Sequence, residues 1–232
     1  MIKQLERWAP LSGIVFVVLM LTGAFFVTDV PEADASAQEI AGYLADSDNH
    51  VRNIIGAYMW VLGGLAFLLF VSHLRSVLSR AEGGSGTLSN VAFGAGVVFT
   101  AVWSVSAVAL AAVAYAVESS DAPVSNPDVV RVLPQMAGLL LVLGGGFAGI
   151  LLLLATSILT FRTGVLPRWL AWFGILVAIA LVFDVIYMNI VPLLAWVVGA
   201  SVVLLRRQEE TATAAAPERR YDAANAPVTA QP

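Results

Sequence analysis

The chain has 232 residues, is 59% hydrophobic, and carries 12% charged residues with a net charge of −4; its mean hydropathy is +0.85. Soluble domains carry about 25% charged residues, so too little polar surface is present to cover a water-soluble globule, and the class is a polytopic membrane protein. The absence of cysteine excludes disulfides, thiolate metal sites, thioether haem attachment and cysteine nucleophiles, while His50 and His73 alone leave little from which to build a multi-histidine site.

The chain opens with Lys3, Arg7 and Trp8, a basic segment with an aromatic at headgroup level. Residues 11–28 form the first apolar run, short for a span but long for a signal-peptide core. Ala33-Asp34-Ala35 and Ala35-Ser36-Ala37 resemble cleavage sites, but Asp29, Glu32 and Asp34 crowd that region, which favours a retained helix. Residues 29–52 are the one long polar stretch that reads as ordered. Within it Ser36-Ala37-Gln38-Glu39 fits a capping box, and Ile40, Tyr43 and Leu44 recur at helical spacing. The spacing predicts a short amphipathic helix from about Ala37 to Ala45, ended by Asp46-Ser47-Asp48-Asn49-His50, with residues 49–53 offering caps for the next helix.

The second span is expected at about 53–72, followed by His73, Arg75, Arg80 and the flexible Gly83-Gly84-Ser85-Gly86. Thr87 or Ser89 is a candidate cap for the third span, about 90–117. A polar loop holds Asn126-Pro127, an N-cap followed by a first-turn proline. The fourth span is expected at about 133–161, with Pro134 a potential kink near its outer start. Residues 169–205 contain a single charge, Asp184, and accommodate two spans, about 169–185 and 190–205, joined by a minimal turn near residues 184–189. Arg206 and Arg207 close the sixth span. Residues 208–232 lack an apolar period and read as a disordered tail. The predicted fold is therefore all-α: a six-helix transmembrane domain over residues 1–207, with a short extracytoplasmic amphipathic helix between spans one and two.

Charge sorting supports six spans. Arg52 and Arg131 fall on one side, and every other basic residue falls on the opposite side. The positive-inside rule then places both termini in the cytoplasm of a plasma-membrane protein. Asp29, Glu32, Asp34, Glu39, Asp46, Asp48, Glu118, Asp121 and Asp128 face outward, giving an acidic outer face. The basic inner face suits anionic headgroups.

An internal repeat is visible in outline. Val61-Leu62-Gly63-Gly64 recurs as Val142-Leu143-Gly144-Gly145, Ser76-Val77-Leu78-Ser79 as Ser157-Ile158-Leu159-Thr160, and Phe93-Gly94 as Phe173-Gly174. Chance matching of Leu- and Gly-rich spans also accounts for these similarities.

Few residues carry chemistry. Asp184 is the sole carboxylate within an apolar run; a buried acid there would serve a proton or cation relay, whereas a position near the outer turn makes it interfacial, as Tyr187 and Asn189 suggest. Asp46, Asp48 and His50 alternate as Asp-x-Asp-x-His, a pattern that in an extended loop presents divalent-cation ligands to one side; the competing reading is a helix end and turn using local hydrogen bonds. His73 reads as interfacial. Gly145-x-x-x-Gly149 permits close helix approach, within the bundle or between copies. Thr100, Ser104, Thr156 and Ser157 read as bonding to their own or a neighbouring helix. The glycine-rich loop lacks the lysine and strand of a phosphate loop. Since no nucleophile, base and orienting group converge, no catalytic, cofactor or metal site is expected.

Taken together, Arg7-Trp8-Ala9-Pro10-Leu11-Ser12-Gly13, Asp34-Ala35-Ser36-Ala37-Gln38-Glu39-Ile40, Gly56-Ala57-Tyr58, Leu74-Arg75, Ala81-Glu82-Gly83-Gly84 and Thr163-Gly164-Val165-Leu166-Pro167-Arg168-Trp169-Leu170 resemble a family of uncharacterised actinobacterial six-span integral membrane proteins over most of residues 7–206. The resemblance implies membership and no mechanism. The expected function is a non-enzymatic accessory, assembly or envelope protein working through the lipid bilayer and a protein partner or second copy, with no nucleic acid involved. Glu39, Tyr43, Asp46, Asp48 and His50 form its candidate interaction surface. The alternative is a small-solute or ion transporter with a route along Asp184, Gln135, Thr100 or Ser104.

Overall fold

The structure is a computed structural model that describes residues 8–27, 30–31, 34–119, 127–187 and 190–224, with side chains described up to residue 208 except at 127 and 184–187. Helix α1 is Leu11–Phe26, α2 Ala37–Ala45, α3 Ser47–Glu82 and α4 Thr87–Ser119. Helix α5 is Pro127–Leu139; a π-helical segment, Leu140–Gly145, joins it to α6, Gly146–Thr163. Helix α7 is Arg168–Tyr187 and α8 is Val191–Ala224. All secondary structure among the described residues is helical.

Four helical rods are long and apolar enough to cross a membrane: Ser47–Glu82, Thr87–Ser119, Asp128–Thr163 and Val191–Gln208. Leu11–Phe26 and Arg168–Phe183 are shorter apolar helices. Each of these apolar helices overlaps one of the stretches where a span was expected, and four of them have the length and composition to cross a membrane. Neighbouring rods pack in a ring, α1 on α3, α3 on α4, α4 on the π segment and α6, α6 on α7, α7 on α8, and α8 back on α1.

One core fills the ring. Phe16, Phe67, Phe70, Leu74, Leu152, Leu153, Leu193, Trp196 and Val197 are almost fully buried in it. Aromatic rings run across its middle: Phe16 lies 4.7 Å from Phe67, Phe67 5.0 Å from Phe99, Phe99 5.7 Å from Trp103, and Trp103 5.6 Å from Trp60. Helix α1 supplies Phe16, Val17 and Met20 to this core. Cleaving it as a leader would strip these side chains away and open the ring. The perimeter is apolar as well, with Val18, Leu21, Leu65, Val105, Trp172 and Ile179 exposed. An exposed apolar belt around a packed core suits a hydrocarbon solvent.

Several boundaries differ from expectation. Helix α3 begins at Ser47, before the expected start near residue 53, because the Asp46 carboxylate accepts the Asn49 amide at 3.1 Å and caps the helix early. Asn49 and Asn53 are therefore buried inside the helix instead of capping it. At the next turn, Gly83, Gly84 and Gly86 all have positive φ, a conformation glycine adopts without penalty. The turn folds Glu82 back so that its carboxylate accepts the Leu88 and Ser89 amides at 2.8 and 2.9 Å; the Ser89 hydroxyl donates to the Gly86 carbonyl instead.

Pro127 is the first residue of α5, as its fixed φ favours, while Asn126 lies outside the described residues. Pro134 sits inside α5, and the rod continues past it into the π segment. Helix α7 runs through Asp184 to Tyr187, two residues beyond the expected end of the fifth span near residue 185. Helical backbone continues to Ala224, past the expected end of the sixth span near residue 205. Extending an existing helix avoids the cost of nucleation.

The repeated motifs sit in different surroundings. Gly63 and Gly64 lie in a regular helix, facing Met20 and Thr100, whereas Gly144 and Gly145 lie in the π segment, facing Val102 and Phe99. A side chain at Gly94 would meet open space, but one at Gly174 would meet Ser157 and Trp196.

Candidate functional site

The two ends of the bundle are polar and differently built. At one end Arg75 donates twice to the Asn90 side-chain oxygen, at 3.0 and 2.8 Å, and its guanidinium lies over the Phe93 ring. His73 and Gln208 approach to 3.3 Å, and Arg207 donates to the Gly164 carbonyl at 3.4 Å. The opposite end carries helix α2 and is the candidate site.

Local sequence makes α2. The Ser36 hydroxyl accepts the Glu39 amide at 3.2 Å, and the Glu39 carboxylate accepts the Ser36 amide at 2.6 Å, closing the capping box. These bonds to Ser36, the backbone one first and the hydroxyl second, hold the Glu39 carboxyl below the ordinary glutamate value against a smaller opposing effect of burial. Ile40 and Tyr43 turn inward and are buried with Ala35, Val113 of α4 and Val130 of α5, with Leu44 and Leu133 packed beside them. The helix is thus a lid on the ends of α4 and α5. Arg131 fastens its leading strand: Nε and Nη2 donate to the Ala35 carbonyl at 3.1 and 2.8 Å. The same guanidinium lies 3.7 Å from Asp128.

Beneath the lid lies a polar pair whose histidine is buried. His50 has no solvent exposure, and its Nδ1 lies 3.1 Å from Glu118 Oε1 at the end of α4. The Tyr43 ring meets the imidazole edge-on at 5.0 Å, and Asn53 donates to the Tyr43 hydroxyl at 3.5 Å, a long bond. Burial raises the Tyr43 phenol, partly offset by Asn53. His50 Nε2 is buried without a hydrogen-bond partner among the described residues. Above this, Val30, Asp34, Glu39, Tyr43, Asp46 and Asn49 contribute to the lining of an open, acid-rimmed groove of about 630 Å³.

The structure separates the candidate residues. Glu39 and Asp48 are exposed on the lid and the first turn of α3, Asp46 is a helix cap, Tyr43 is buried, and His50 points inward to Glu118. Asp46, Asp48 and His50 do not share a face, because they lie on a cap and a helical turn instead of an extended loop. Among the described residues no three His, Cys, Asp or Glu side chains converge as a metal would need. The Asp184 side chain lies outside the described residues. Gln135 is exposed on the bundle surface. Thr100 and Ser104 bond to their own helix, donating to the Gly96 and Thr100 carbonyls at 2.9 Å each. Ser157 donates across to the Ala171 carbonyl at 3.0 Å. Gly145 and Gly149 face Phe99, Leu181 and Leu193, so this motif packs within the bundle.

Two features escape sequence reasoning. The His50–Glu118 pair joins residues 68 apart and the Arg131–Ala35 bond residues 96 apart; the isolated basic residue at 131 on an acidic side was the available signal. The π segment reads like any Leu- and Gly-rich helix. Beside it lies a small cavity of about 60 Å³, lined by Phe99, Leu141, Gly145, Leu181, Ile190 and Leu193 among others.

A family model matches residues 7–209, spanning the lid and every apolar rod. The chain belongs to the family described as Domain of unknown function (DUF4386). No curated protein and no solved structure matches this chain. The DUF4386 match joined to the apolar helices makes this an integral-membrane type of fold whose family carries no assigned activity.

Proposed function

We infer that this DUF4386 chain is a six-span plasma-membrane bundle with both termini cytoplasmic, which acts through contacts made by its outer lid and not by catalysis. One observation carries this reading: the aromatic column from Phe16 through Phe67 and Phe99 to Trp103 and Trp60 fills the ring, while the lid above it is capped, packed and fastened by Arg131. A closed interior under an ordered, acidic outer surface suits an accessory, assembly or envelope protein that meets a protein partner or a second copy. Asp34, Glu39, Asp46 and Asp48 are among its exposed charges there.

A second reading, a small-solute or ion transporter, is favoured by the π segment and the cavity of about 60 Å³ beside it, since π-helical breaks often mark functional positions. Purified protein reconstituted in vesicles separates the two. The contact reading expects no proton-coupled or ion flux above protein-free vesicles. Flux that Asp184→Asn abolishes would overturn it.

A further inference from the structure

We propose that the end of the bundle opposite the lid holds an anionic phospholipid, its phosphate on Arg162, Arg168 and Arg206 and its acyl chains along the exposed aromatic face of α7. This rests on the membrane reading above. Three elements carry these cations to the same end of the bundle. Arg162 ends α6, Arg168 begins α7 after a short turn, and the Arg207 bond to the Gly164 carbonyl draws the end of α8 onto that turn. All three side chains are exposed. None has a carboxylate within ion-pair distance among the described residues. Glu82 is near enough for the Arg162 charge to act on it, but both its oxygens accept backbone amides. Guanidiniums at a bilayer surface match phosphate in charge and in fork geometry.

Aromatic placement selects a lipid over a free phosphate ion. Trp169 is 56% and Trp172 61% exposed, one turn apart on α7. Phe161 of α6 meets Trp172 edge-on at 5.2 Å, and the Trp169 ring reaches α8 beside Gly199. Arg206 follows Gly199 by two helical turns and so lies on the same side of α8, toward the bundle end. Cations therefore stand at the level of a headgroup, directly above aromatic rings at the level of the interface. A soluble anion would gain nothing from the rings.

The test uses the full chain, purified in mild detergent and reconstituted into vesicles of phosphatidylcholine and phosphatidylglycerol in equal parts. After re-extraction, lipids retained on the protein are quantified by mass spectrometry. The proposal expects phosphatidylglycerol enriched over the vesicle ratio, by up to about fivefold for each arginine engaged. Enrichment should be lost in Arg162→Gln/Arg168→Gln/Arg206→Gln, reduced but retained in the matching triple Lys variant, which keeps the charge without the fork, and unchanged in Arg52→Gln at the opposite end. Circular dichroism and monodisperse elution establish that the variants fold. Equal enrichment in wild type and the Gln triple variant, or its removal by millimolar inorganic phosphate, overturns the proposal. So does incorporation into pure phosphatidylcholine vesicles with no anionic preference, which leaves the membrane reading intact; failure to incorporate into any vesicle overturns both.

Discussion

The His50 imidazole, wholly buried, sits 3.1 Å from the Glu118 carboxylate and ties the first turn of α3 to the last turn of α4 directly beneath the lid. Because Tyr43 of α2 meets the same imidazole edge-on, the pair also supports the lid from below. Glu118 retains one-third of its side-chain exposure, so water screens the pair and its strength is modest. We expect His50→Ala and Glu118→Ala to destabilise the protein non-additively, with a coupling of about 1 kcal/mol. Thermal unfolding in detergent of the two single variants and the double variant measures it. Strict additivity would show that the contact contributes nothing.

Arg131 fastens the lid from the side. Its two bonds to the Ala35 carbonyl have a charged donor, a class worth about 1.5–3 kcal/mol. Arg131→Gln should therefore raise hydrogen exchange at α2 amides by one to two orders of magnitude, since 1.4 kcal/mol is tenfold, while amides in the middle of α4 stay protected. Uniform loss of protection along the chain would mean that Arg131 holds up the whole fold.

The capping box makes lid order depend on pH in one direction. Glu39 is held below its ordinary value by its bonds to Ser36, so its contribution is fully present above the ordinary glutamate range. That contribution is lost as pH falls through the lowered value. The Ser36 amide should lose exchange protection on acidification, and Glu39→Gln should flatten that dependence. Ser36→Ala, which removes the hydroxyl acceptor, should cost about 1 kcal/mol of local helix stability. A Ser36 amide whose protection is constant across the acid limb would contradict the box.

Glycine replacements read the packing of the ring. A Cβ at Gly96 would come within 2.5 Å of Val71 Cγ1 and 3.1 Å of its Cβ, and a β-branched side chain gives way poorly. At Gly63 the nearest atom is the tip of Met20, at 2.5 Å, which can swing aside. At Gly94 nothing lies within 4 Å. Gly96→Ala should thus cost about 1–3 kcal/mol, Gly63→Ala less, and Gly94→Ala should be neutral or stabilising by up to about 1 kcal/mol. The order of the three unfolding temperatures is the check, and Gly94→Ala as the most damaging would contradict the packing.

What the sequence revealed here was what is local or periodic. Ser36 and Glu39, three apart, specify the lid helix because a capping box is a contact between near neighbours. The apolar runs specify the rods. The start of α3 escaped because Asp46 and Asn49 compete as caps with equal chemistry, and only the buried fate of Asn49 and Asn53 decides. His50 looked like part of a loop cluster because its partner lies at the end of a different helix. The π segment escaped because Leu140 to Gly145 has the composition of an ordinary span, and its geometry answers to Val102 and Phe99 across the interface.

The absence of cysteine makes the central claim, a closed interior beneath an outward lid, directly measurable by single-cysteine labelling with a membrane-impermeant maleimide in intact cells. The account predicts rapid reaction at Glu39→Cys and Asp48→Cys and none at Asn53→Cys, Gly64→Cys, Thr100→Cys or Ser104→Cys. A continuous series of reactive positions descending from Asn53 through Gly64 to Thr100 would contradict it and establish a water-filled path through the bundle.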